Sequence, residues 1–242
     1  MKYCKNIKKT KGFTLVELMV GFVVSMFVVL GMLALYKTTV KVVVPSQLAA
    51  NIEGQISTGI ITADKLLQGA GNKKGDTAVT ASVYLKDLLM ISGASLAGNT
   101  LSGTASTATP TTSGTNGNAV LWVTNTGGTY TLNGLFAPTV GGIKFITNSV
   151  GASVPNLSIS WSSASWNSQD VIVPPSPSIP NSPNVSKTTF KLSSTGTSKC
   201  LPFSGTSSSF TAGGVYVLDV NVTGYAGNEK TITSSTCLFN FQ

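Results

Sequence analysis

From Phe13 to Tyr36 the chain reads FTLVELMVGFVVSMFVVLGMLALY, apolar around the whole helical circumference, with Glu17 as its single charge. At 1.5 Å per residue such a run spans a hydrocarbon core of about 30 Å with residues to spare. It is long for the apolar part of a secretory signal, and no A-x-A-like site follows it, so ordinary signal peptidase is not expected to remove it. After Lys37 and Lys41 the pattern changes. Leu48, Ile52, Ile56, Ile60, Ala63, Leu67 and Ala70 recur at spacings of three and four, with Asn51, Glu53, Gln55, Ser57, Thr62, Asp64 and Gln68 between them. That spacing predicts an amphipathic helix over 45–70, with Pro45 in its first turn or at a kink in a longer helix, and Gly69, Gly71 and Asn72 as its stop. Gly54 and Gly59 each weaken the helix by up to about 1 kcal/mol, so burial of its apolar face has to hold it.

Beyond Lys74 the texture becomes Ser, Thr and Gly with short β-rich runs. AVLWVTN, GTYTLN, GGIKFITN, LSISWSS, TTFKLSS, GVYVLDVNV and CLFNF are read as strands, separated by Gly, Asn or Pro. The predicted class is α+β: a long N-terminal helix, half membrane-spanning and half amphipathic, packed on an antiparallel sheet in a domain over 75–242. Two stretches are read as surface loops, 93–118 for its low charge and apolar content and 173–184 for its proline.

Composition narrows the function. The 242 residues contain no His, which removes the commonest general base, the usual zinc ligand and every Ser-His or Cys-His arrangement. An enzyme is therefore disfavoured, and no metal or cofactor is expected. The formal charge of +8 falls to +3 once Lys2, Lys5, Lys8, Lys9 and Lys11 are subtracted, all of which precede the apolar run with no acid among them. A polybasic flank of that kind marks the cytoplasmic side of a membrane segment, with the rest of the chain exported. Nucleic-acid binding is the rival reading, but every basic residue is Lys, and only Lys73 and Lys74 stand together in the exported part. Asp219 to Gly224, DVNVTG, places oxygen ligands at alternating positions as some calcium loops do, though in a strand such residues simply share one face.

Glu17 raises the sharpest question, since a carboxylate inside an apolar segment has to be compensated. Gly12 stands immediately before the apolar run, and Glu17 one helical turn after Phe13. A cut between Gly12 and Phe13 would create an α-ammonium at Phe13, close to Glu17 in its own chain and within reach of a neighbour's carboxylate between packed chains. KGFTLVELMV after a short Lys-rich leader resembles the class III signal of type IV pilins and of the pseudopilins of type II secretion. The resemblance implies a leader over 1–12, cleavage by prepilin peptidase between Gly12 and Phe13, N-methylation of Phe13, and a Glu17 that sets the register of incoming subunits. It also implies storage in the inner membrane with the C-terminal domain in the periplasm, then incorporation beside other pilin subunits into an extracellular fibre.

The helix closing in Ala70-Gly71 is similar to that of PilW-type minor pilins and J-type pseudopilins, although Leu66, Gln68 and Asn72 stand where those carry an acid, Arg and an aromatic. The minor-pilin reading has two rivals: a type II secretion pseudopilin, and an adhesive or DNA-binding module mounted on a pilin stalk. Cys4 falls in the leader, which leaves Cys200 and Cys237 on the exported side. In an oxidising compartment a disulfide is the simplest reading, with two free thiols as the alternative. Pilins often close a C-terminal region in this way.

Overall fold

The computed structural model describes residues 12–74, 84–153, 155–173, 188–196, 200, 214–223 and 231–241. The leader to Lys11, with its Cys4, and positions 174–184 of the proline-rich stretch lie outside these residues. Helix α1 spans Leu15–Gln68 and is followed by β1 (Lys73–Lys74), β2 (Leu88–Ala97), β3 (Thr100–Ala105), β4 (Thr115–Gly117), β5 (Ala119–Thr126), β6 (Thr129–Phe136) and β7 (Ile143–Gly151). Then come α2 (Leu157–Ser160), β8 (Asn167–Ile172), β9 (Thr188–Ser194), β10 (Tyr216–Thr223) and β11 (Thr231–Cys237). The architecture is α+β with antiparallel sheets. Internal contacts divide the chain into two units, one up to Leu48 and one from Ala49.

The first unit is helical and carries the stretch long and apolar enough to cross a membrane, Leu15–Val43. Its large apolar side chains from Phe13 to Val43 are all exposed. Its hydroxyls fold back onto the helix: Ser25 Oγ donates to the Phe22 carbonyl at 2.8 Å, Thr38 Oγ1 to Ala34 at 3.1 Å and Thr39 Oγ1 to Leu35 at 2.9 Å. These bonds satisfy polar atoms that hydrocarbon does not solvate. The helix runs without a break through Pro45.

In the second unit α1 buries Ile52, Ile56, Ile60, Ala63 and Leu67, the predicted stripe. Two sheets accompany it instead of one. The larger has the order β3-β2-β5-β6-β7-β8, with β1 parallel to β5 beyond the end of β2; the smaller has the order β11-β10-β9-β4. The centre of the larger sheet is covered on both faces, which is why β5 and β6 are buried almost without alternation. On one face Leu89, Ile91, Leu121, Leu132 and Phe136 join Leu157, Trp161 and Trp166 in a single cluster. In the smaller sheet Tyr216, Leu218, Val220 and Val222 are buried, and the residues between them are partly open.

Helix α1 meets β11 through Asp64, which accepts from Ser234 Oγ at 2.7 Å and from Thr236 Oγ1 at 2.6 Å. Its C-terminal end is capped by Asn240, whose Nδ2 donates to the Ala70 carbonyl at 2.7 Å. Gly71 has φ +74°, and a Cβ there would lie 2.7 Å from the Phe241 ring. The chain turns out of the helix with a residue that suits both the backbone conformation and the close approach.

Three expectations are corrected. The stretch 93–118 is not a loop: it holds the end of β2, all of β3 and β4. A two-residue Gly98-Asn99 turn closes the β2–β3 hairpin, Ala94 and Leu101 point inward, and Ser95 Oγ pairs with Ser102 Oγ at 2.8 Å. LSISWSS is not a strand, because Asn156 accepts from Ser158 N at 3.2 Å and Ser158 Oγ at 2.8 Å and so starts the short α2. CLFNF is not a strand beyond Cys237, since the chain turns there with Phe241 N donating to the Leu238 carbonyl at 3.1 Å.

Candidate functional site

Gly12, Phe13 and Thr14 precede the first helical residue, Leu15. A helix start leaves its first N–H groups without intrahelical acceptors, and here two side chains supply them reciprocally. The Thr14 N–H and the Thr14 hydroxyl both donate to Glu17 Oε2, each at 3.0 Å, while the Glu17 N–H donates to Thr14 Oγ1 at 3.3 Å. This is a capping box, and the negative charge at N3 also lies well with the positive end of the helix. The carboxylate thus has partners inside its own chain. In the sequence Glu17 stands out first as a charge; the Thr14-x-x-Glu17 spacing is the signal for this second role.

The position before the cap is open. Among the described residues no atom beyond its chain neighbours lies within 4 Å of where a Cβ on Gly12 would stand, and Phe13 is 87% exposed. The Gly12–Phe13 peptide bond is therefore reachable by another protein, and Glu17 follows one turn later at the head of an exposed apolar helix.

The other sequence-derived residues lie in the second unit. Cys200 and Cys237 form a disulfide with Cα atoms 5.7 Å apart. Cys200 pairs with Gly214 through two backbone hydrogen bonds, and Cys237 is the last residue of β11. Asp219 accepts from Ser235 Oγ at 2.6 Å, and Asn221 accepts from Thr233 Oγ1 at 2.8 Å, so the alternating oxygens of DVNVTG form a cross-strand ladder. Lys73 and Lys74 contribute their backbone to the short β1. Among the described residues there is no group of three or more His, Cys, Asp or Glu placed to hold a metal ion.

Residues 7–33 match the family described as the prokaryotic N-terminal methylation motif. The chain carries this motif. It takes in Gly12, Phe13, Thr14 and Glu17 and most of the apolar stretch, and it supports a type IV pilin or pseudopilin that prepilin peptidase processes and that assembles with pilin subunits. The methylation motif together with the Leu15–Val43 helix fits anchoring in a membrane before assembly. No curated protein and no solved structure matches the chain.

Proposed function

We propose that this chain is a minor pilin-like structural subunit, cut between Gly12 and Phe13, N-methylated at Phe13 and incorporated into a type IV pilus or used to prime its assembly. The observation that carries the reading is the methylation motif at 7–33 coinciding with an open Gly12–Phe13 bond and a carboxylate one turn into an exposed apolar helix. In the capping box the Thr14 amide nitrogen lies 3.0 Å from Glu17 Oε2. The α-ammonium created at Phe13 is one residue away from that nitrogen. Glu17 then faces an opposite charge from its own chain and, between helices packed side by side, from a neighbour; such a pair is costly to break in a dry setting and so fixes register.

The subunit waits in the inner membrane with its N-terminus cytoplasmic and its second unit periplasmic, and enters the fibre by exchanging lipid for other helices. A role at the tip or in priming, rather than in the bulk shaft, is favoured by the size of its β domain. The helix closing in Ala70-Gly71 favours a PilW-type place among minor pilins.

Intact-mass and N-terminal analysis of the membrane-extracted protein tests this directly. A chain beginning at N-methylated Phe13 is expected. A chain with its leader still attached in a host with active prepilin peptidase overturns the reading. A deletion strain assigns the machine: loss of surface pili supports the pilus subunit, and loss of secreted enzymes with pili intact makes the chain a pseudopilin of type II secretion.

A further inference from the structure

The buried face of the larger sheet ends in an open cavity of about 380 Å³. Its floor is apolar, made by Phe136 and Ala94 from the cluster on that face, with Leu96 and Val140 on its walls. Its rim is polar, with Thr139 in the β6–β7 loop, Lys144 on β7 and Ser168 on β8. Lys144 stands opposite Phe136 across β6–β7 and opposite Asp170 across β7–β8, so the three side chains share one face. Lys144 Nζ donates to Asp170 Oδ1 at 2.7 Å.

One side chain holds the two walls together. Asn118 Oδ1 accepts from the Ala94 N–H at 2.7 Å, and its Nδ2 donates to the carbonyls of Ala94 at 2.8 Å and Ala137 at 3.3 Å. The Asn118 carbonyl in turn accepts from the Ala137 N–H at 2.8 Å. A bulge in β2 between Ser92 and Ser95 bends the first wall, and Gly141 and Gly142, both at positive φ, bend the second. The concavity is therefore built into the backbone and is present before any ligand arrives, at a volume within the usual range for small-molecule sites.

The polar groups select the chemistry. The Lys144 ammonium has three N–H donors and gives one to Asp170, whose carboxylate keeps a second oxygen. A hydroxyl both donates and accepts, so adjacent hydroxyls on one ligand satisfy the ammonium and the carboxylate together with the pair left intact. A charged ligand of either sign meets a like charge in that pair, so a neutral ligand fits it best. The hydroxyls of Thr139 and Ser168 have no partner among the described residues and extend the same pattern along the rim, while the floor offers apolar surface to C–H groups. We propose that this cavity binds a neutral saccharide, its ring C–H face on Phe136, Leu96 and Val140 and its hydroxyls on Lys144, Asp170 and Ser168. The site stands independently of the pilin reading.

The test is saturation-transfer NMR on the full chain in lauryldimethylamine oxide micelles, a detergent without a sugar headgroup. The probes are glucose, galactose, mannose, N-acetylglucosamine and lactose, each at about 10 mM, with Ala-Ala and Gly-Gly dipeptides as zwitterionic contrasts. Transfer to the ring protons of at least one saccharide is expected. It should be lost in Ser168→Trp, which fills the mouth from an exposed edge position, and affinity should fall about tenfold in Lys144→Met, the effect of one charge-assisted hydrogen bond. Unchanged thermal midpoints in both variants show that they are folded, since an exposed ion pair contributes little to stability. Absence of transfer to every saccharide, equal transfer in Ser168→Trp, or preference for the dipeptides overturns the proposal.

Discussion

Glu17 carries two jobs that the surrounding atoms allow to be separated. Its carboxylate closes the capping box with Thr14 in the single chain, and in the proposed fibre it also answers a neighbour's ammonium. Thr14→Val removes the hydroxyl that accepts from the Glu17 N–H and donates to Oε2, but leaves the carboxylate and its bond to the Thr14 amide. Glu17→Ala removes both jobs. Processing at Gly12 should persist in each variant, because the open bond precedes the cap. Fibre formation should survive in Thr14→Val at reduced yield and fail in Glu17→Ala, as scored by electron microscopy and by the mass of the membrane-extracted chain. Normal fibres from Glu17→Ala would remove the register role. The charge was legible in the sequence because it interrupts an apolar run. The cap is equally legible as Thr-x-x-Glu, a spacing that gives the carboxylate partners inside its own chain.

At the scale of elements, helix α1 shows how far periodicity reaches. The stripe from Ile52 to Leu67 is buried as its spacing requires, and the bulky runs of β5, β6, β9 and β10 became strands. Two kinds of strand were missed: β2 opens with Leu88 to Ile91, a buried apolar run without alternation. Beyond it the β2–β3 hairpin is held by a tight turn and by Ser95 on Ser102, and β8 has only Val171 and Ile172 as apolar residues, so neither has the apolar alternation by which strands are recognised. Among the sheet-lining contacts, two helical glycines now differ where sequence alone treated them alike. Among the described residues a Cβ on Gly54 meets nothing within 4 Å, whereas one on Gly59 collides with the Ile172 side chain of β8. Gly54→Ala should therefore raise stability by up to about 1 kcal/mol through helix propensity. Gly59→Ala should lower it despite the same propensity gain, by about 1–3 kcal/mol for overpacking. Denaturant midpoints of the full chain in detergent check the opposite signs; a gain in Gly59→Ala would show that Ile172 yields at no cost.

For the molecule as a whole, the question is what ties the two sheets and the end of α1 into one unit. Tyr84, beside the larger sheet, and Tyr216, on the smaller, have ring centroids 6.1 Å apart. Burial raises both phenols above their ordinary value near 10, and for Tyr216 the neighbouring Tyr84 adds to the rise. The folded state thus holds these protons more tightly than the unfolded chain, so this contribution is complete below about pH 10 and is lost as pH rises through the folded pKa values. Stability should fall above about pH 10, and a smaller fall in Tyr84→Phe would assign it; an identical profile would place the cause elsewhere. The second tie is the C-terminal strap. Strand β11 lies at the edge of its sheet, gives Ser234 and Thr236 to Asp64, and leads into Asn240 and Phe241, which close the end of α1. The Cys200–Cys237 disulfide anchors that strap where the strand ends and closes a loop of 37 residues. In the chain-entropy account such a loop contributes about 4 kcal/mol. The double variant Cys200→Ser, Cys237→Ser should lose about that much, and hydrogen exchange should quicken first in β11 and in the α1 turns around Asp64 and Leu67. Asp64→Ala, with the disulfide intact, should quicken the same helical amides and leave those of β9 and β10 slow. If exchange in the helix is unmoved by either change, the strap only terminates the sheet, and the burial of Ile52 to Leu67 alone holds the helix.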